Sequence, residues 1–351
     1  MVTLKNLSNL PNNNITALRL IASFAVIWGH SHAITLSGTH DIIARITGYA
    51  HAGGIAVDFF FLLSGFLVTS SVIKRDILSY SISRCVRVFP ALWIYLLIMV
   101  FIIAPFLSNL SLINYIKNES TFKYLINIGC GISAEWFLPG VFETNRNKAI
   151  NGSIWSIIIE IRLYLYLAIF KILGGFKSRT IYNLTVSTII ILVWANLISI
   201  PGINGKTDSH VALFFVIGSV LYVNRELINI SPIYALVAAA IAAITHGTPN
   251  FQYGYILIIV SVFLYLAFND ILSNFLTNDY SYGVYLWGWP IQQVVAEAWP
   301  KASPIMNTFI SIILALGVSI ASWHFIEKKL LLKKDKLITI VKTLSKQLLI
   351  K

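Results

Sequence analysis

The sequence predicts an all-α polytopic membrane protein, a helical bundle of about ten transmembrane helices with both termini in the cytoplasm. Of its 351 residues, 57% are hydrophobic and only 11% are charged, whereas a soluble domain carries about 25% charged residues. The mean hydropathy is +0.77, and the apolar residues are gathered into runs close to the roughly 20 residues that cross a bilayer. These observations exclude an ordinary soluble domain.

The apolar runs define ten predicted spans. They lie at about 15–37, 52–73, 86–107, 153–173, 180–200, 209–224, 233–246, 254–269, 280–298 and 305–326. The run at 233–246 is the weakest of them. A further stretch at 124–140 is apolar but contains Gly129, Gly131 and Pro139. Irregular backbone survives at membrane depth only where protein or water satisfies it, so this stretch is predicted to be re-entrant or interfacial.

Basic residues indicate which side of the membrane each loop faces, because short cytoplasmic loops carry an excess of Lys and Arg. With a cytoplasmic N-terminus, 18 of the 26 basic residues lie at predicted inner ends and seven at outer ends, and Arg162 lies within a span. This distribution explains the net charge of +12 without a nucleic-acid partner. We expect residues 1–330 to form one membrane domain and residues 331–351 to form a basic cytoplasmic tail, an amphipathic helix on the inner leaflet.

The first span carries two ionisable side chains, Arg19 and His30, which are eleven residues apart. Eleven residues are close to three helical turns, so both side chains project from nearly the same face, about 16 Å apart along the axis. Ionisable residues inside a span are costly, and such a pair is a functional-site hypothesis by default. We therefore predict a functional stripe from Arg19 at the inner edge to His30 in the outer half.

Two carboxylates, Asp58 in the second span and Glu160 in the fourth, are predicted at a depth similar to that of His30. A histidine oriented by a carboxylate is a common general base for a hydroxyl group. The three residues therefore predict a catalytic group. Two other interpretations stay open, in which Asp58 pairs with a neighbouring helix for stability and Glu160 forms an inert buried pair with Arg162.

Three arginines are predicted at the inner mouth, with Arg19 opening the first span and Arg84 and Arg87 in the loop after the second. The spacing of Arg84 and Arg87 puts them on one helical turn. Guanidinium groups bind phosphate oxygens in bidentate pairs, so the three predict an anion or phosphate site. Ordinary positive-inside topology is the alternative. Two cysteines and no His/Cys cluster predict neither a disulfide framework nor a metal site.

The remaining motifs receive less specific interpretations. Pro290 predicts a kink in the ninth span, where Trp287 belongs to aromatic residues that either pack at the interface or stack on a sugar or an adenine. His32 and His51 are expected at the interface, and the IEKK motif at 326–329 is expected to be a cytoplasmic anchor. The polar residues together fit a transacylase that passes an acyl group outward. They fit equally a proton-coupled transporter, whose relays also use His, Asp and Glu.

Six motifs in order over nearly the whole chain resemble the membrane-bound acyltransferase 3 family. They are Arg19 and His30 with ten residues between them, GGIAVDFFFLLSGF at 53–66, the pair Arg84 and Arg87, Trp155-Ser156 with Glu160 followed by Tyr164, SYGVYLWGWP at 281–290, and FIEK at 325–328. The sequence departs from the family at Gly288, where relatives often have a histidine. No histidine role in that span can be carried over, which favours His30 as the sole catalytic histidine.

The resemblance implies an enzyme that takes an acyl group, usually acetyl, from cytoplasmic acyl-coenzyme A and delivers it to a glycan hydroxyl on the outer side. The implied catalytic residues are His30, Glu160 and Asp58. The implied donor-side residues are Arg19, Arg84 and Arg87. Further substrate contacts are expected from Trp155, Ser156, Tyr164 and Trp287.

We therefore expect a multi-pass O-acetyltransferase of the bacterial inner membrane, with acetyl-CoA as donor, no metal, and an O-antigen or capsule polysaccharide as acceptor. His30 either deprotonates the attacking hydroxyl or carries the acetyl group transiently. Many relatives carry a fused periplasmic hydrolase-like domain, which we do not expect here. The acceptor glycan, which is lipid-linked in one interpretation, is then acylated directly or through a separate periplasmic partner. The alternatives are transfer of succinyl or another acyl group, and a transporter or flippase without transferase activity.

Overall fold

A computed structural model describes residues 2–8, 13–35, 40–268, 272, 276 and 278–349, and 75% of the chain is helical. Two short strands, β1 (Val2–Thr3) and β2 (Asn229–Ile230), pair antiparallel. The first eight helices are α1 (Leu4–Ser8), α2 (Ile15–Ile34), α3 (Ile42–Thr47), α4 (Ala52–Lys74), α5 (Ile77–Ile98), α6 (Ala104–Leu107), α7 (Leu112–Lys117) and α8 (Glu119–Gly129). The following helices are α9 (Ile154–Ile172), α10 (Arg179–Trp194), α11 (Gly205–Val223), α12 (Pro232–Thr245), α13 (Phe251–Ala267), α14 (Ser281–Ala298), α15 (Pro304–Ser322) and α16 (Lys328–Leu349). Two π-helical segments, Met99–Ile103 and Trp323–Glu327, join α5 to α6 and α15 to α16.

The long helices coincide with the apolar runs of the sequence. Within the described residues, four helical stretches are long and apolar enough to cross a membrane, namely Ala52–Lys74, Ile77–Leu107, Gly205–Val223 and Pro304–Leu344. Helices α2, α9 and α14, which carry Arg19 and His30, Glu160, and Tyr285, are not among the four. The chain is a helical, multi-pass membrane protein. The count of ten spans and the side on which the termini lie stay predictions.

Arg84 and Arg87 lie on one helix, as their spacing predicted, but this helix begins before the predicted third span at 86–107, so Arg84 does not lie in a loop. Helix α5 begins at Ile77, and the Asp76 side chain caps it by accepting a hydrogen bond from the backbone N–H of Ser79 at 3.0 Å. The predicted span began later because the first turns of α5 are polar and basic, and hydropathy alone does not detect them. The two arginines are therefore presented from a rigid element.

The stretch at 124–140 contains the end of one helix and the beginning of an irregular segment. Its first part belongs to α8, and the part after Gly129 is an irregular segment that returns towards α9. Gly131 and Gly140 have φ angles of +70° and +72°, a backbone conformation that glycine adopts without strain. The irregular segment packs onto α14, since the indole N–H of Trp289 donates to the carbonyl oxygen of Ala149 at 2.9 Å.

The C-terminal tail continues the last predicted span without interruption, through the π-helical segment into α16. The Lys342 ammonium donates a hydrogen bond to the Asp76 carboxylate at 2.7 Å, and this bond holds the pKa of Asp76 well below its usual range. Glu327 belongs to the IEKK motif, for which a cytoplasmic anchor stays the prediction, and it is a buried residue. It is 4% exposed, accepts a hydrogen bond from Ser322 and lies 3.8 Å from Arg87.

Helices α4 and α11 pack closely at two glycines. A Cβ atom on Gly65 would lie 1.9 Å from the carbonyl oxygen of Phe215, and one on Gly218 would lie 2.0 Å from that of Leu62. Small residues let membrane helices approach in this way. The contact matters for the site because it fixes α4, which carries several of the predicted functional residues, against α11.

Replacing Gly65 by alanine should separate the two helices, because the added methyl group meets backbone atoms that cannot rotate away. We expect a loss of about 1–3 kcal/mol of stability, the range for overpacking, measured by thermal unfolding in detergent. Gly317→Ala is the matched control, since nothing lies within 4 Å of a Cβ atom there and alanine suits a helix interior better than glycine. Equal stability of Gly65→Ala and Gly317→Ala would contradict the described packing.

Candidate active site

Two cavities of the described part of the chain are lined by the predicted functional residues of α2. The inner cavity has about 800 Å³ of space around Arg19, and the outer cavity has about 990 Å³ around His30, with open solvent included in both volumes. The polar and charged residues that line the inner cavity are Arg19, Ser64, Arg84, Arg87, Ser156, Glu160, Tyr164, Ser281, Tyr282 and Tyr285. Those that line the outer cavity are His30, Tyr49, His51, Asp58, Ser153, Trp155, Lys206, Thr207, His210 and Tyr285. The names inner and outer follow the predicted topology.

Asp279 lies between two of the three predicted donor-side arginines. Its Oδ2 atom is 2.6 Å from Nη2 of Arg87 and 3.2 Å from Nη1 of Arg19. Its Oδ1 atom accepts hydrogen bonds from the backbone N–H and the hydroxyl of Ser281, at 3.2 and 2.5 Å. Glu327 adds a second carboxylate near Arg87. The three predicted donor-side arginines therefore do not form a purely basic group, because Arg19 and Arg87 have carboxylate partners within the chain.

Arg84 differs from the other two arginines. Among the described residues it forms no ion pair, and its guanidinium lies 5.7 Å from the ring centre of Tyr164, a cation–π distance. The Nε atoms of Arg84 and Arg19 are buried without a hydrogen-bond partner in the described part of the chain. A buried donor without an acceptor is costly. These two guanidiniums are therefore suited to an anionic ligand in the inner cavity.

Glu160 belongs to the inner cavity and not to the surroundings of His30. Its Oε1 atom accepts hydrogen bonds from the hydroxyls of Ser64 and Tyr164, both at 2.5 Å. The alternative partner, Arg162, turns away and donates to two backbone carbonyl oxygens, those of Gly202 and Ile132, at 2.6 Å each. Neither the predicted contact of Glu160 with His30 nor the inert pair with Arg162 occurs in this structure. Similar depth in the membrane did not imply that the side chains meet.

His30 is held in the outer cavity by weak contacts. Its Nδ1 atom lies 3.5 Å from the hydroxyl oxygen of Ser153, and its ring packs edge-on against Trp289 at 4.7 Å between centres. The ring of His51 is 6.1 Å away, and His51 caps α4 by accepting from the backbone N–H of Gly54. His51, predicted as an interfacial residue, is therefore a neighbour of His30. No carboxylate contacts His30 among the described residues.

Asp58 supports a different histidine, His210 at the start of α11. Its Oδ2 atom is 3.0 Å from Nε2 of His210 and accepts a hydrogen bond from the hydroxyl of Tyr255 at 2.5 Å. Asp58 is buried, whereas 30% of the His210 side chain is exposed and lines the outer cavity. Three histidines, His30, His51 and His210, therefore line the outer cavity, and the one oriented by a carboxylate is not the one that the sequence predicted.

The four predicted substrate contacts are divided among three places. Trp155 lines the outer cavity, and Ser156 and Tyr164 line the inner cavity. Trp287 lines neither: it is buried and packs edge-on against Tyr95 at 5.1 Å. Residues two apart on a helix face different directions, so α14 turns Tyr285 towards the cavities and Trp287 away from them. The direct substrate contact predicted for Trp287 is corrected accordingly.

The residues that sequence reasoning missed include Asp279, His210 and Ser153. His210 carried a usable signal, because it is ionisable and close to the start of an apolar run, which is the criterion that identified His30. Asp279 precedes the apolar run of the ninth span and looks like an ordinary loop residue. Ser153 is a small polar residue beside many others, and nothing in its spacing indicates contact with a histidine more than a hundred positions away.

The fold and the two groups of polar residues fit a multi-pass membrane enzyme that transfers a group, and the comparison with known families tests this class. The chain matches the Acyltransferase domain family over residues 12–324. It therefore belongs to this family, the membrane-bound acyltransferase 3 family, and it is an acyl-transferring enzyme. The family predicted from the six motifs is confirmed.

Several curated proteins are similar to the chain. An O-acetyl transferase of Shigella phage Sf6 is 25% identical over 340 residues, which cover 92% of this chain and 97% of the phage protein. The O-acetyltransferase OatA of Staphylococcus aureus is 24% identical over 358 residues, covering 89% of this chain and 56% of OatA. Nodulation protein 10 of Rhizobium leguminosarum bv. viciae is 28% identical over 169 residues, covering 44% of this chain and 43% of that protein. The chain thus spans nearly all of the phage relative but little more than half of OatA. No solved structure matches the chain.

Proposed function

We propose that the protein is an O-acetyltransferase that moves an acetyl group from cytoplasmic acetyl-CoA to a hydroxyl of a bacterial surface polysaccharide of the O-antigen or capsule type. The observation that carries the proposal is the pair of cavities, one lined by arginines and one by histidines, along a single face of α2. The names of the phage and staphylococcal relatives support the O-acetyl part of the proposal.

The topology we propose is ten transmembrane helices in the bacterial inner membrane with both termini in the cytoplasm. Residues 1–330 are the acyltransferase domain, and the basic tail at 331–351 lies along the inner leaflet. In this orientation the inner cavity faces cytoplasmic acetyl-CoA, and the outer cavity faces an acceptor glycan on the other side. The glycan is lipid-linked in this proposal, and membrane lipids surround the domain.

The donor site we propose uses the inner cavity. Arg84, which has no acidic partner among the described residues, and the unpartnered Nε atom of Arg19 bind the anionic phosphates of coenzyme A. Arg87 also binds the phosphates when their oxygens replace Asp279 as its partner. The distance of about 16 Å between Arg19 and His30 along α2 suits the long arm that carries the thioester.

The transfer we propose ends in the outer cavity. The acceptor hydroxyl gives its proton to the His30 imidazole, and its oxygen attacks the thioester carbonyl carbon. The C–S bond breaks, and the thiolate takes the proton from the His30 imidazolium and leaves as free coenzyme A, which restores the neutral imidazole. In the alternative route His30 first displaces the thiolate and carries the acetyl group to the hydroxyl, with the same net reaction. Glu160 holds Ser64 and Tyr164 in place on the donor side.

The acceptor site we propose includes His210, positioned by Asp58, together with Trp155 in the same cavity. His210→Ala should raise the KM for the acceptor glycan about tenfold or more, as expected for the loss of a hydrogen bond to a charged or strongly polar partner, while the KM for acetyl-CoA changes little. Asp58→Asn should also raise the KM for the acceptor glycan. His246→Ala is the matched control, because His246 is exposed and bonds only the Ile46 carbonyl oxygen among the described contacts.

Purified protein incubated with labelled acetyl-CoA and acceptor glycan tests the proposed function. We expect labelled glycan and an equal amount of free coenzyme A. The rival function, a proton-coupled transporter or flippase, predicts no release of coenzyme A even when the acceptor is present. An unchanged donor pool with correctly folded protein would therefore refute the proposal.

A further inference from the structure

The two cavities share part of their walls. Among the described residues, Val57 of α4 and Tyr285 of α14 are the two that line both the inner and the outer cavity. Val57 is buried, and Tyr285 is half-buried. The two side chains therefore lie at the boundary between the arginine side and the His30 side. An acyl group presented to His30 from the inner cavity would lie against them.

Tyr285 makes contacts on both sides of the wall that the two cavities share. Its hydroxyl is 2.5 Å from the hydroxyl of Ser156, which lines the inner cavity, and it donates to the carbonyl oxygen of Ser153 at 3.2 Å. The Ser153 hydroxyl is in turn the oxygen that contacts His30. On its other face the Tyr285 ring packs edge-on against Phe60, with centres 5.8 Å apart.

Resting on the proposed function, we propose that Val57 and Tyr285 determine which acyl group the enzyme transfers, because they form the wall against which the acyl group lies when the coenzyme A arm presents its thioester to His30. The Tyr285 ring and the Val57 side chain leave room for a small group such as acetyl and exclude longer chains. A rigid wall can discriminate in this way because one methylene group in a packed site changes the rate by about tenfold or more.

The test is the ratio of transfer rates from acetyl-CoA and butyryl-CoA to the same glycan. The intact protein should prefer acetyl, by about tenfold for each added methylene. Val57→Ala and Tyr285→Leu should each reduce this preference about tenfold or more, because each removes wall atoms. Tyr285→Phe keeps the ring and should keep the preference. Val72→Ala is the matched control, since Val72 is a fully buried valine of the same helix that lines neither cavity.

An unchanged acetyl-to-butyryl ratio in both Val57→Ala and Tyr285→Leu would overturn the inference. So would an equal change in Val72→Ala, since that would reflect general loosening of α4. A change in Tyr285→Phe as large as that in Tyr285→Leu would also overturn it, because the ring would then not be the barrier. If the intact protein transfers no acetyl group at all, the proposed function fails instead, which is a separate outcome.

Discussion

Replacing His30 by alanine should lower acetyl transfer to the glycan by about 10²–10⁴-fold, the range for loss of a general acid–base group. The protein should still fold, because the contacts of His30 with the described residues are weak: a long contact with Ser153 and ring contacts with Trp289 and His51. Acetylation is measured by NMR of the surface polysaccharide, and folding by thermal unfolding in detergent. His246→Ala, outside both cavities, should acetylate normally.

Retained acetylation in well-expressed His30→Ala protein would remove His30 from the chemistry. The second histidine of the outer cavity, His210, would then be the candidate base, since Asp58 orients it. The double comparison of His30→Ala with His210→Ala therefore separates the two histidines. The proposed roles predict a loss of rate for the first variant and a weaker acceptor KM for the second.

Arg84→Ala and Arg87→Ala should have different consequences, although the two arginines belong to one motif. Removing Arg87 leaves Asp279 with Arg19 as its remaining arginine and takes from Glu327 the arginine that lies 3.8 Å away, and breaking a buried ion pair costs about 3–5 kcal/mol. We expect Arg87→Ala to lose both stability and donor binding. Arg84→Ala should raise the KM for acetyl-CoA about tenfold or more and leave the unfolding temperature nearly unchanged, because Arg84 has no ion pair among the described residues.

Lys74→Ala is the control for this comparison. Lys74 is an exposed basic residue at the C-terminal end of α4, and it lines neither cavity. It therefore measures the effect of removing a basic residue outside the proposed donor site. If Arg84→Ala and Lys74→Ala have the same acetyl-CoA KM, the arginines follow the ordinary positive-inside distribution and the donor site lies elsewhere. Equal stability of Arg84→Ala and Arg87→Ala would contradict the described ion pairs.

Apolar runs predicted where the long helices lie, because the bilayer requires continuous hydrophobic segments and their length is visible in the sequence. Apolar runs did not predict the first turns of α5, which are polar. They also did not predict that Glu327 is buried, 3.8 Å from Arg87. The stripe on α2 could also be predicted from the sequence, since helical periodicity alone relates Arg19 to His30. Both residues line a cavity, as that stripe implies.

Which side chains contact each other across different helices could not be predicted from one sequence. Asp58 and Glu160 were assigned to His30 on depth alone, but depth does not determine the direction in which each helix turns its side chains. In the structure Asp58 faces His210 and Glu160 faces Ser64 and Tyr164. Trp287 likewise shared a motif with Tyr285 but faces Tyr95. Such errors arise from helix rotation, which only packing against neighbouring helices determines.

The central claim is that one chain passes an acetyl group from an arginine-lined cavity on the inner side to a histidine-lined cavity on the outer side. The most direct test uses proteoliposomes with labelled acetyl-CoA sealed inside and acceptor glycan only outside. The account predicts labelled glycan outside and free coenzyme A inside, with the signal lost in His30→Ala. Labelled glycan that forms only when donor and acceptor share one compartment would contradict it.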